Sequence, residues 1–437
     1  MDALLQQVIR EKILTAVETL PVALTRRDAV FPEIQGKALA VIGMRRAGKT
    51  TFLHQIRGDM IAAGRSARRL VYFNFEDERL AGLDAAGLHM IPDTHARLFP
   101  TPTGEPLALF LDEIQRVPGW EVFVRRMLDT SGYEIFLSGS SAKLLSREIA
   151  TSMRGRAWEV AIFPFSFGEF LRHHGLEMPE DPDRLTSRKA TALDHHFAEY
   201  LMTGGFPEAQ ALGPADRRQL LQGYVDVLLL RDVIERHEVT NPTALRWMVR
   251  RLLGSPAGLF SVTKFAADLK SQGIAGGRET LYGFLDHMED AFLLQAVPVA
   301  SDSEKRRQVN PRKVYPADSG LIPVFDRSGK ATSGHALETA VFIELQRRGA
   351  EVAYVKTSGG FEVNFLARYR DGKEDLIQVC ANVDDPETLA REVRGFNDSA
   401  YPHARQLLLT LESRLPFPAA PSPVRILPAW QWMLEKP

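Results

Sequence analysis

Cysteine is almost missing from this chain. Cys380 is the only one in 437 residues, which excludes an intramolecular disulfide and leads us to expect a reducing, cytoplasmic setting. Long hydrophobic runs are missing too: no stretch reaches the ~20 apolar residues a membrane-spanning helix needs, so no membrane partner is expected. Residues 1–7 carry an acid at position 2 and no apolar core, which argues against a secretory leader. An excess of one charge is also absent. Fifty-four Lys and Arg face 55 Asp and Glu, so bulk attraction to polyanions is excluded while a local basic surface is not. Neither an internal repeat nor a low-complexity tract interrupts the chain. What remains is an ordinary globular composition, 45% hydrophobic and 25% charged, at a length that suits two or three domains.

Against that plain background one segment stands out. Gly43, Met44, Arg45, Arg46, Ala47, Gly48, Lys49 and Thr50 spell G-x-x-x-x-G-K-[ST] without a gap. Residues 38–42 before it read as a buried strand, and Thr51, Phe52, Leu53 and Ile56 continue as a helix. Strand, glycine-rich turn and helix N-terminus together make a cradle for phosphate. The expected ligand is ATP with Mg²⁺, bound by Gly43 through Thr51; Lys49 would reach the β- and γ-phosphates and Thr50 the metal.

Further along, the apolar run 107–111 ends in Asp112-Glu113. An acid at the end of such a strand suits the Mg²⁺ shell, and Glu113 next to it suits a water-polarising role. Another strand, 134–137, runs into Ser138-Gly139-Ser140-Ser141, and Ser138 is the first choice for a γ-phosphate sensor, with Ser140 behind it. Alternation of strands and helices predicts an α/β fold with a mostly parallel sheet. The expected domains are an N-terminal helix and lead-in (1–35), a P-loop domain (36–210), a helical and winged-helix module (211–330) and a small α/β domain (331–437).

Several motifs resemble one prokaryotic family when taken together. They are the loop with its internal Arg45-Arg46, the stretches 71–77, 111–115 and 138–145, Arg154-Gly155-Arg156, 164–170, Gly204-Gly205-Phe206-Pro207, 314–321 and 362–366. The chain resembles AAA-superfamily P-loop ATPases with a C-terminal DUF4143 module. That resemblance implies that Arg154 and Arg156 reach phosphate, across a subunit boundary in a homo-oligomer, and that Pro207 packs near the adenine.

Residues 261–315 have the outline of a winged helix, with a recognition helix from Arg278 whose Leu281, Phe284, Leu285 and Met288 face the core. The exposed face of that helix is acidic, so DNA, if a partner, should be met by Lys305, Arg306, Arg307, Arg312 and Lys313 on a following hairpin. The tail resembles the restriction-endonuclease-like fold. Glu338 and Glu362 are present, but Asn364, Gln378 and Cys380 stand where acid and lysine would be needed. His335 and Asp375 do not restore the pattern, so an inactive nuclease-like domain is expected. Two alternatives remain: an ATP-gated metal-dependent nuclease, and a regulatory or defence switch acting through protein partners.

Overall fold

The computed structural model describes residues 2–19, 24–32, 34, 36–100, 106–130, 132–139, 153, 155–182, 184–326, 333–413 and 423–435. The chain forms two compact units, Met1–Ile162 and Phe163–Pro437.

In the first unit, five strands form a wholly parallel sheet in the order β2-β3-β4-β1-β5. They are β1 (Ala38–Ile42), β2 (Leu70–Asn74), β3 (Leu107–Asp112), β4 (Tyr133–Gly139) and β5 (Ala157–Ala161). Strands β1 and β3 are buried along their whole length, as continuous apolar runs covered on both faces should be. The N-terminal helix Asp2–Glu18 covers β2 and the helix Met90–Leu98, burying Val8, Ile9, Ile13 and Ala16. Strand β4 lies between β1 and β3. This order sets the tip of β4 between the loop after β1 and the acids after β3, at the carboxyl edge where open α/β sheets bind ligands.

The second unit begins with helices, Phe167–His173, Ser187–Thr203 and Pro214–Leu228. The first has a full capping box: Ser166 accepts the Glu169 N–H, and the Glu169 carboxylate accepts the Ser166 N–H. The turn at Gly204-Gly205 is pinned by Asp318, whose carboxylate accepts the Gly205 N–H at 2.8 Å and the Gly320 N–H at 2.9 Å. Burial pushes that carboxyl up to about 6, against the pull of these two donors.

Next come the helices Pro242–Gly254, Val262–Ser271 and Arg278–Asp290 and a small antiparallel sheet in the order β6-β8-β7. Its strands are β6 (Leu259–Phe260), β7 (Leu294–Val297) and β8 (Arg312–Pro316). Leu281, Phe284, Leu285 and Met288 are buried, on the face their spacing predicts. One expectation fails here. The basic segment is not a simple hairpin: Lys305, Arg306 and Arg307 lie on a short helix, Glu304–Val309, between β7 and β8.

The last part is a five-stranded mixed sheet in the order β13-β12-β11-β10-β9. Strands β9 (Glu351–Lys356), β10 (Glu362–Arg368) and β11 (Glu374–Val379) form an antiparallel meander. Helix Pro386–Asn397 then crosses over, and β12 (Arg405–Thr410) and β13 (Arg425–Pro428) add in parallel. Helix Ser333–Arg347 packs on one face with Phe365, Ile377 and Leu407; helix Pro386–Asn397 covers the other with Leu366, Leu376 and Leu408. Among the described residues, no helix is long and apolar enough to cross a membrane.

Candidate nucleotide site

The loop after β1 has the backbone its sequence demands. At Gly43 φ is 144°, and a Cβ there would collide with the Ile162 carbonyl. Gly48, the N-cap of helix Lys49–Ala62, has φ 100°. Arg46 between them also takes positive φ, 65°, a conformation a non-glycine residue adopts only when its surroundings hold it there. Met44 and Ala47 are buried, and Thr51 is half-buried in the first helical turn. The Lys49 ammonium is buried over the loop and donates to the carbonyls of Gly43 and Met44, both at 3.1 Å. Arg45 lies 3.9 Å from Glu76, whose carboxylate also accepts from Arg116.

Asp112 is the hub of the site and is fully buried. Its Oδ2 accepts the Thr50 hydroxyl at 2.8 Å and the Tyr72 hydroxyl at 2.7 Å, while Oδ1 accepts the Ser138 hydroxyl. An ionised carboxylate is acceptor-only, and hydrogen bonds to such a group contribute about 1.5–3 kcal/mol each. Burial, then the Asp112 charge, raises the Tyr72 pKa, so its O–H remains a donor at any working pH. Ser138 in turn accepts the Glu113 backbone N–H at 3.1 Å. P-loop, acid strand and β4 tip are thereby tied into one hydrogen-bonded set.

Glu113 has φ 55°, a left-handed conformation at the sharp turn after β3. Burial raises its pKa, while the Lys49 charge and the Gln115 amide, which donates to it, pull the other way. A carboxylate less acidic than usual and close to an ammonium is suited to accept a proton from water.

Two contributors were not visible in the sequence. Tyr72 sits opposite Phe110 in the parallel register, on the sheet face that Asp112 shares two residues later. As a tyrosine inside an apolar strand it reads as core. Arg27 comes from the extended lead-in, where no motif marks it. Its buried guanidinium donates to the Ala47 carbonyl at 2.8 Å and would lie 2.9 Å from a Cβ at Gly48. Gln55 on the following helix holds the Arg27 backbone in place through two hydrogen bonds.

The remaining sequence-derived candidates are Arg154, Arg156, Ser140 and Pro207. Arg156 pairs with Asp129 at the surface of the first unit. Arg154 and Ser140 lie outside the described residues. Pro207 opens the short turn Pro207–Ala209 in the second unit.

The assignment of Lys313 to a DNA-facing surface is overturned. Its side chain is 4% exposed, and its ammonium lies 3.0 Å from Glu338 and 2.7 Å from Glu362. Tyr315 also donates to Glu338, at 2.7 Å. Burial alone would lower the Lys313 pKa, but the two carboxylates outweigh it and hold the group above the usual lysine value. Lys305 and Arg306 are exposed, Arg307 lies 3.7 Å from Glu351, and Arg312 is half-buried in β8.

Asn364 and Gln378 serve the sheet itself. Beyond the Phe365–Ile377 pair, these two side chains join β10 to β11. Gln378 Oε1 accepts the Asn364 N–H at 3.1 Å, and Asn364 Oδ1 accepts the Val379 N–H at 2.9 Å. Gln378 also donates to Glu392. Asp375 is taken by Arg405 and Tyr369, His335 is exposed, and burial raises the Cys380 thiol.

The parallel sheet with this loop and this acid strand has the P-loop NTPase fold, and residues 35–171 match the model of an AAA domain. The chain belongs to the same family as the uncharacterized protein MJ1544 of Methanocaldococcus jannaschii, to which it is 32% identical over 421 residues, 93% of this chain and 90% of that protein. An uncharacterized protein of Haemophilus influenzae is 29% identical over 79% of this chain and 82% of its own length. Residues 194–330 match a domain of unknown function, DUF8612; the DUF4143 module that the resemblance implied for 331–437 is not shown. Among solved structures, a Walker-type ATPase of Pyrococcus abyssi is similar over 73% of this chain and 95% of that one (14% identity, TM-score 0.37). The Orc1 protein of Aeropyrum pernix, solved in complex with DNA, is similar over 74% and 91% (14% identity, TM-score 0.25). Both likenesses are too loose to bear on function.

Proposed function

We propose that this chain is a Mg²⁺-dependent ATP hydrolase whose nucleotide cycle drives a partner-binding second unit. The observation that carries the reading is the Thr50–Asp112 hydrogen bond of 2.8 Å, with Ser138 on the same carboxylate and Glu113 next in sequence. Thr50 and Asp112 supply the oxygen donors that Mg²⁺ takes, and would hold the ion that accompanies a triphosphate. When bound, such an ion would neutralise charge on the triphosphate. Lys49 exchanges loop carbonyls for phosphate oxygens, Glu113 polarises the attacking water, and Ser138 holds the Glu113 backbone in position. Arg27 fixes the loop from outside. Phosphate release from ATP should require Mg²⁺ and stop with excess EDTA. Release that continues in EDTA would contradict the metal assignment.

In the second unit, three helices with the β6-β8-β7 sheet support a winged-helix reading. A DNA contact through Lys305 and Arg306, with Arg307 and Arg312 beside them, is the second reading, favoured by the exposed basic turn at Glu304–Val309. Binding should then weaken steeply with salt, and Lys305→Ala with Arg306→Ala should flatten the log–log slope by about 0.9 per lost phosphate contact. An unchanged slope would leave a protein partner as the better occupant. The tail supports a nuclease-like but non-cleaving reading. The Lys313 ammonium lies between Glu338 and Glu362, where a metal would have to sit, and Asn364 and Gln378 are committed to the sheet.

A further inference from the structure

After helix Pro214–Leu228 the chain leaves α-helical register. Residues Leu229–Glu235 form a π-helical stretch, an irregularity that persists mostly where it re-aims side chains for a purpose. His237 lies two residues beyond its end, and the next residue, Glu238, has φ 50°. This stretch packs against helix Arg278–Asp290. On that helix His287 and Asp290 are three residues apart, so both project from one face. The imidazoles of His237 and His287 lie parallel, with centroids 3.7 Å apart and planes 10° from coplanar orientation. One nitrogen or oxygen atom from each of His237, His287 and Asp290 falls within 4.8 Å of the other two. Asp290 is buried, where a carboxylate gains most from a nearby cation.

Two imidazoles and a carboxylate form the donor set of a borderline divalent transition ion, and a poor one for Mg²⁺ or Ca²⁺, which prefer oxygen. We propose that His237, His287 and Asp290 constitute a zinc-class metal site in the second unit, with a further coordination position left to water or a partner's side chain. Zn–N bonds of about 2.0–2.1 Å need converging lone pairs, so loading turns the two rings out of their parallel stack about χ2. The ion joins the end of the π-helical stretch to helix Arg278–Asp290, which the winged-helix reading makes the recognition helix. The site itself stands without that reading and without ATP hydrolysis.

The test uses the full chain, stripped with EDTA, desalted and held in excess Mg²⁺ so that Thr50 and Asp112 do not compete for the probe. Titration with Co²⁺ should give a visible d–d band that saturates at one ion per chain, and Zn²⁺ should bleach it stoichiometrically. His237→Gln and His287→Gln should each lose at least about 100-fold in affinity, since even outer-sphere partners of a metal ligand cost about 10–100-fold. Zn²⁺ should raise the melting temperature of the wild type and leave both variants unmoved. Should one variant fail to fold, the other carries the comparison, because the two histidines sit on different elements. No saturable Co²⁺ band, or a band of unchanged affinity in the folded variants, would overturn the proposal.

Discussion

Glu113→Gln should bind ATP with wild-type affinity and turn it over about 10²–10⁴-fold more slowly, the usual contribution of a positioned general base. The substitution removes the basic oxygen and little else. Gln is isosteric, the left-handed turn at φ 55° is set by the backbone, and the N–H that donates to Ser138 is unaffected. Steady-state phosphate release and equilibrium binding of a fluorescent ATP analogue separate the two effects. The same assignment predicts the pH profile. Burial raises the Glu113 pKa above its ordinary 4.5, and only the ionised form accepts a proton, so turnover should fall as pH drops through a limb lying above the usual carboxylate range. In Glu113→Gln that limb should vanish. Equal turnover in the two proteins would remove Glu113 from the chemistry.

Lys313→Met should destabilise the protein by about 3–5 kcal/mol, the cost of removing one partner from a buried ion pair. Glu338 and Glu362 would then face each other without the ammonium now 3.0 and 2.7 Å from them. Glu338 would retain the Tyr315 hydroxyl, which donates to it at 2.7 Å. Adding Glu338→Gln to Lys313→Met should recover much of the loss, because the uncompensated charge disappears. Denaturant midpoints of the single and double variants measure this. A single variant as stable as wild type would mean that Lys313 does not act as the internal cation of this cluster.

The candidate nucleotide site was legible in the sequence wherever its geometry is local. Gly43 through Thr50 forms one turn, and Asp112-Glu113 ends one strand, so spacing alone identifies them. Ser138 was readable as a strand-tip residue, but its contact with Asp112 needed the sheet order, which sets β4 between β1 and β3. Tyr72 was hidden because a strand's face, rather than its composition, decides what a side chain meets. Arg27 was hidden because an extended lead-in has no periodicity to read. In the tail, the missing charge at Asn364 and Gln378 was plain, but their use in joining β10 to β11 was not. Lys313 was misplaced for a related reason: a cluster of basic residues does not reveal which one turns inward. His237 and His287 stand 50 positions apart, and only the packing of the π-helical stretch on helix Arg278–Asp290 brings them together.

Equilibrium binding of Mg²⁺ and ATP to wild type and to Lys49→Ala tests the central claim most directly. Lys49 is the ammonium buried over the loop, and its carbonyl partners at Gly43 and Met44 lie where triphosphate oxygens would draw it away. The wild type should bind one nucleotide per chain. Lys49→Ala, with its fold confirmed by an unchanged circular dichroism spectrum, should bind at least about 100-fold more weakly, a loss of roughly 2.7 kcal/mol. Equal affinity in the two proteins would show that the nucleotide, if bound at all, is not held by this loop.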